Sequence, residues 1–190
     1  MDLEKYISIK DNTIQPEMIS SIIKWCNKSS SFEPGKVGYG DIEKDIRNVE
    51  LLNLLNWEDK SKTKIHWANF LHFLLKENFM NYSKEKFPLK NEFIVNGIDD
   101  ISILRYYEGG KYVTHVDHSR AVPRTLSAIL LLNNEYEGGE LKFFYPCGKL
   151  MKEVKPALGR LIIWPSNFLY PHAVEPIKRG IRYSIVSWAQ

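Results

Sequence analysis

The chain has 190 residues, 44% hydrophobic and 26% charged, enough to bury a sizeable core within one domain and too apolar for a disordered or fibrous chain. Its net charge of +3 comes from 26 basic and 23 acidic residues scattered along the length. That leaves no basic stripe of the kind that grips nucleic acid, the nearest being Lys178-Arg179.

No window nears the ~20 apolar residues of a membrane span. Cys26 and Cys147 stand far apart and form neither a zinc pair nor a redox CxxC. Met1 to Lys10 carries Asp2, Glu4 and Lys5 rather than the apolar stretch of a secretory leader. With reduced thiols, this sets the expectation of a cytoplasmic protein with neither nucleic acid nor membrane as partner.

Tyr6 to Ile9 alternates apolar and polar side chains, which predicts a short strand. Pro16 suits a first helical turn, and Met18, Ile19, Ile22, Ile23 and Cys26 recur at helical spacing, so a helix of about three turns follows. Ser29 to Gly40, rich in serine and glycine around Pro34, reads as a loop. A second helix is expected over about Lys62 to Asn81, with Trp67, Phe70, Leu71, Leu74 and Leu75 on one face. His66 and His72 lie beside that stripe with no partner at metal spacing and are given no chemistry.

From about Glu92 the chain breaks into short β-rich runs separated by turn residues, Gly109-Gly110 and Gly138-Gly139 among them. The runs are Ile101–Tyr107, Tyr112–His115, Thr125–Leu132, Glu140–Phe144, Lys152–Lys155, Arg160–Trp164, His172–Pro176 and Arg182–Trp188. Eight such runs fill a two-sheet jelly roll. The expected fold is therefore mainly β with flanking helices (α+β) in a single domain. Helical support over about residues 14–82 would pack on one sheet of a jelly-roll core over about 92–190.

In Thr114-His115-Val116-Asp117 an imidazole and a carboxylate stand two residues apart, so on a strand both project to one face. His172 follows 57 residues later, at the start of another predicted strand. Two histidines and one carboxylate form the facial triad of non-haem iron(II) oxygenases, with positions left open for a co-substrate and O₂, although the ligands alone leave zinc open. Arg182, ten residues beyond His172, would return on an antiparallel strand towards the same pocket. Its planar fork suits a carboxylate. His118 has the opposite strand parity to His115 and is expected at the rim with Arg120 rather than on a metal.

These residues sit within RYYEGGKYVTHVD (Arg105–Asp117), RTLSAILLLN (Arg124–Asn133), EGGELKFF (Glu137–Phe144), GRLIIWPSN (Gly159–Asn167) and HAVEPIKRGIRYSIVSW (His172–Trp188). In that order the motifs resemble the catalytic core of the prolyl 4-hydroxylase group of iron(II)/2-oxoglutarate dioxygenases, over under half of the chain. The resemblance implies a double-stranded β-helix with catalytic iron(II) on His115, Asp117 and His172. It also implies 2-oxoglutarate and O₂ as co-substrates, ascorbate as an optional reductant, and succinate and CO₂ as by-products. By the same resemblance Arg182 and Tyr106 hold 2-oxoglutarate, while Tyr112, Arg124, Trp188 and Arg47 line the substrate side.

The reaction implied is hydroxylation of a prolyl residue in a peptide or protein. The same chemistry on another side chain or a free small molecule is a second reading, and a non-catalytic jelly-roll binding module is a third. Three positions depart from the pattern. Arg182 stands where members acting on collagen-like proline carry lysine, Val49 where a serine is common, and Gln190 near where some relatives place a histidine. Either cation pairs with a carboxylate, so the departures bear on the substrate rather than on the iron.

Overall fold

The computed structural model describes residues 2–37, 40–56, 61–88, 95 and 97–190. A 3₁₀ turn (Leu3–Tyr6) leads into β1 (Ser8–Lys10) and helix α1 (Pro16–Cys26). Three short strands follow, β2 (Glu33–Pro34), β3 (Arg47–Asn48) and β4 (Glu50–Asn53), and then helix α2 (Lys62–Lys86). The remainder is β5 (Ile98–Tyr106), β6 (Lys111–His115), β7 (Leu126–Leu131), β8 (Glu137–Gly138), β9 (Leu141–Phe144), β10 (Leu150–Val154), β11 (Leu161–Pro165), β12 (His172–Val174), β13 (Ile177–Arg179) and β14 (Arg182–Ala189).

The eight predicted runs correspond to β5, β6, β7, β9, β10, β11, β12 and β14, and they divide four and four. Strands β11-β7-β14-β5 lie side by side in a seven-stranded sheet, and β10-β9-β12-β6 in a five-stranded one. Their pairings are antiparallel. Four strands from the first third of the chain extend the edges: β1 beside β11, β4 and β2 beyond β5, and β3 beside β6.

The predicted loop Ser29 to Gly40 thus contributes an edge strand at Glu33 and Pro34, where proline is tolerated because one side of the strand has no partner. Gly38 and Tyr39 of that loop lie outside the described residues. The predicted strand at Tyr6 begins later, at Ser8, which pairs with Ile163. Tyr6 instead closes the 3₁₀ turn, and its carbonyl accepts a hydrogen bond from the Tyr82 hydroxyl at 2.7 Å.

Side-chain parity explains why these strands read as near-continuous apolar runs. On the large sheet, Ile101, Ile103, Ala128, Leu130, Ile163 and Ile185 face α1 and α2, packing with Ile19, Ile22, Leu71, Leu75 and Phe79. Their neighbours Leu104, Ile129, Leu131, Ile162 and Val186 face the other way, against Leu141 and Phe143 of the small sheet. A sheet covered on both faces leaves few polar positions to alternate. Each fully buried aliphatic side chain in these layers contributes roughly 2 kcal/mol.

Helix α2 runs to Lys86, past the predicted end at Asn81. The apolar stripe continues through Phe79 and Tyr82, while Asn78 and Ser83 return their side chains to the Leu74 and Phe79 carbonyls at 2.8 and 2.9 Å. His66 and His72 lie on this helix, both exposed, with the His66 ring edge-on to Trp67. No helix among the described residues is long and apolar enough to cross a membrane.

Candidate metal centre and active-site cleft

The small sheet brings the two histidines together as a cross-strand pair, His115 at the end of β6 opposite His172 at the start of β12. The register then slips. Val174 lies opposite Tyr112, so two steps along β12 meet three along β6. The extra residue is a bulge, which leaves Val113 and Thr114 both exposed and brings Tyr112 and His115 to one face. Their rings stack with centroids 3.5 Å apart, whereas in a regular strand residues three apart point to opposite faces.

Asp117 does not share a strand with His115, contrary to the reading of the HxD spacing. β6 stops at His115, and the chain turns before Asp117. The carboxylate still reaches both imidazoles, with Oδ1 3.6 Å from His115 Nε2 and Oδ2 3.4 Å from His172 Nε2. Among the described residues these three side chains form the one group able to share a metal ion, their ligand atoms lying within 4.8 Å of one another.

Backbone contacts fix the imidazoles. Nδ1 of His115 donates to the Val113 carbonyl at 2.9 Å, and Nδ1 of His172 to the Tyr170 carbonyl at 3.0 Å. A carbonyl only accepts, so each Nδ1 carries a proton and each Nε2 presents a lone pair to the centre. Burial pushes the His172 pKa down to about 4, against the pull of Asp117, so the ring is neutral at pH 7. Burial works to raise Asp117, but His172, His115 and the Ser127 hydroxyl outweigh it and hold the carboxyl below its usual range.

The orientation of Asp117 comes from a residue that sequence reasoning missed. Ser127 Oγ donates to Asp117 Oδ2 at 2.7 Å and lies 2.7 Å from Ser166 Oγ. The available signal was an isolated hydroxyl within the apolar run Leu126-Ser127-Ala128-Ile129.

The floor of the cleft is set by the register of β14 on β5. Along the pair, Arg182 lies opposite Tyr106, Ser184 opposite Leu104, Val186 opposite Ser102, and Trp188 opposite Asp100. Of these residues Tyr106, Leu104, Ser102, Asp100, Val186 and Trp188 line a cleft of about 150 Å³, together with His115, Asp117, His172, Tyr112, Arg124 and Arg47, while Arg182 and Ser184 lie behind that lining. Arg47 on β3 stands opposite Tyr112, its guanidinium 4.9 Å from the ring centre, and donates to the Lys36 carbonyl at 2.8 Å. Arg124 lies over the Trp188 ring at 3.5 Å. His118 is no part of the ligand cluster, since its Nδ1 hydrogen-bonds the Arg124 carbonyl at 2.8 Å outside any strand.

Arg182 is fully buried against Tyr106, 5.1 Å from the ring centre. Its Nη1 donates to Ser184 Oγ at 2.8 Å, while Nε and Nη2 have no partner among the described residues. A buried cation with two unsatisfied donors is costly by itself, and a carboxylate accepting both would relieve it.

The Tyr136 hydroxyl is also buried, facing the Arg182 guanidinium without a well-aligned hydrogen bond among the described residues. Burial raises its pKa, with Arg182 pulling the other way. Sequence reasoning missed Tyr136 as a lone aromatic in a polar turn. Gly139, at φ 67°, keeps space between the two: a Cβ there would stand 3.1 Å from both Arg182 Cδ and Tyr136 Cε2. The donor set, two imidazole nitrogens and a carboxylate beside a buried carboxylate receptor, fits iron(II) together with 2-oxoglutarate.

Two packed antiparallel sheets form a double-stranded β-helix, and the His-Asp-His cluster between them has the donor set of a mononuclear non-haem metal site. Residues 101–190 match the model of the 2OG-Fe(II) oxygenase superfamily. A PKHD-type hydroxylase from a Synechococcus strain is 39% identical over 101 residues, 49% of this chain and 43% of that protein. The chain thus matches less than half of that relative's length. Another from Idiomarina loihiensis is 24% identical over 183 residues, covering 94% of this chain and 75% of its own.

Among solved structures, a Trichoplax adhaerens prolyl hydroxylase in complex with a hypoxia inducible factor peptide fragment shares the fold at a TM-score of 0.80 and 16% identity, over 99% of this chain and 87% of that one. A Pseudomonas putida prolyl-4-hydroxylase shares it at 0.72 and 20%, over 97% and 92%.

Proposed function

We propose that the protein is an iron(II)- and 2-oxoglutarate-dependent dioxygenase that hydroxylates a prolyl residue of a peptide or protein. The observation that carries the reading is a His-Asp-His centre in a cleft with, against Tyr106 of that cleft's lining, a buried arginine whose Nε and Nη2 are unsatisfied among the described residues. His115 and His172 would hold iron through Nε2, and Asp117 through its carboxylate. When bound there, iron(II) supplies O₂ activation coupled to oxidative decarboxylation of 2-oxoglutarate to succinate and CO₂, with ascorbate as a reductant in turnover assays.

The chain's own residues do the rest. Arg182 receives the distal carboxylate of 2-oxoglutarate through Nε and Nη2, with the Tyr136 and Tyr106 hydroxyls as further donors. Leu104, Ile129 and Val186 line the cleft and exclude water from the co-substrate's methylene stem. Tyr112, Arg47 and the Arg124-Trp188 stack line the side where a peptide would lie. The peptide held by the Trichoplax fold neighbour supports a peptide substrate.

The test has two parts. Anaerobic addition of iron(II) and 2-oxoglutarate should give a weak visible charge-transfer band, and aerobic incubation with prolyl peptides should add one oxygen to proline by mass spectrometry. A colourless complex overturns the co-substrate assignment. A coloured one that oxidises a free metabolite and no prolyl peptide moves the substrate to the small-molecule reading.

A further inference from the structure

The outermost inward-facing residue of β5 is a carboxylate. Asp100 lines the cleft directly across from Trp188 and makes no ion pair among the described residues. Its Oδ1 accepts from Asn53 Nδ2 at 2.7 Å and Ser102 Oγ at 3.2 Å, and its Oδ2 from Ser102 Oγ at 3.1 Å. An ionised carboxylate offers about four acceptor sites, so Oδ2 keeps capacity.

The nearby cation is engaged elsewhere. Arg124 lies over Trp188 and donates to Asp99 Oδ2 at 3.3 Å, and Asp99 Oδ1 accepts from Gln190 Nε2 at 3.1 Å. Burial pushes the Asp100 carboxyl upward, and Ser102, Arg124 and the Ile101 backbone amide offset only part of that. A neutral substrate covering this carboxylate would strip its water and return nothing, whereas a cation would restore the balance.

The row also fixes where such a cation would sit. Trp188 lies between Asp100 on β5 and Ser127 on β7, and Ser127 holds Asp117. Asp100 is therefore level with the metal ligands and two strand spacings, ~10 Å, from Ser127. An extended peptide advances ~3.4 Å per residue, so a residue reaching Asp100 lies within about three positions of the one being oxidised.

We propose that Asp100 is a specificity-determining residue that takes a lysine or arginine side chain of the peptide substrate, close to the residue hydroxylated. This rests on the peptide-hydroxylase reading above. The test is a library of proline peptides with randomised flanks, incubated with the iron-loaded chain, 2-oxoglutarate and O₂ and read by mass spectrometry. Wild type should turn over peptides with Lys or Arg at one fixed offset about tenfold faster than those with Gln there, a coupling of about 1.4 kcal/mol.

Asp100→Asn should erase that preference, and Asp100→Lys should turn it towards Glu and Asp. The anaerobic charge-transfer band, recorded for each variant, reports folding and loading independently of the peptide. Turnover without a charge preference in wild type, or a preference that survives Asp100→Asn, overturns this inference and leaves the dioxygenase reading standing. A wild-type protein that gives the band but oxidises no prolyl peptide overturns the peptide reading and the inference with it.

Discussion

Replacing Arg182 by methionine keeps an unbranched buried stem and removes the charge, which should move two observables in opposite directions. In the ligand-bound protein the change deletes two charge-assisted hydrogen bonds, from Nε and Nη2, worth roughly 1.5–3 kcal/mol each. The 2-oxoglutarate Kd should therefore rise by roughly 10² to 10⁴. In the ligand-free protein those same donors are unsatisfied and fully buried. Removing them relieves about 1–3 kcal/mol apiece, against the loss of the Nη1 bond to Ser184 at 2.8 Å and of the contact with Tyr106.

A net gain of about 1–2 kcal/mol follows, in line with the gain seen when buried charges give way to apolar groups. For a chain of this size it raises the Tm by roughly 2–4 °C per kcal/mol. Thermal unfolding with and without 2-oxoglutarate, together with anaerobic calorimetric titration, reads both quantities. A ligand-free variant that melts lower than wild type while its 2-oxoglutarate Kd is unchanged would show that Arg182 is a structural cation, and the reasoning would fail.

Ser127→Ala should leave the fold intact and weaken iron(II) binding by about 10–100-fold, measured by chelator competition, because Asp117 loses the bond that orients it. Tyr136→Phe should raise the 2-oxoglutarate Kd about tenfold with iron affinity unchanged, the loss expected for one hydrogen bond to a charged acceptor.

Acid should destabilise the metal-free protein. His172 falls from 6.5 to about 4 on folding, so between those values the unfolded chain binds the extra proton. Stability is then full above about pH 6.5 and is lost towards pH 4, by on the order of 3 kcal/mol. Asp117, also lowered on folding, adds a loss in the same direction at still lower pH. Urea unfolding of His172→Gln should show a flatter slope over that window, and an unchanged slope would assign the acid sensitivity to other groups.

Much of this protein is legible in its sequence. The apolar stripes mark α1 and most of α2, and turn glycines separate many of the eight core strands, because helical and strand periodicities are local properties of the chain. Spacing and motif order name His115, Asp117, His172 and Arg182, and the fold places the first three in one cleft and Arg182 against Tyr106 of its lining.

The short strands β2, β3 and β4 leave no such mark. They are two to four residues long, and their extended form comes from pairing, β4 with β5, β3 with β6 and β2 with β4, rather than from their own side chains. The bulge that brings Tyr112 under His115, the turn that carries Asp117 off the strand, and the row joining Asp100, Trp188 and Ser127 are likewise set only by tertiary structure. Each depends on which residue of one strand meets which residue of another tens of positions away. A single-residue shift in that match reverses the face of every side chain, and no local pattern in the chain records it.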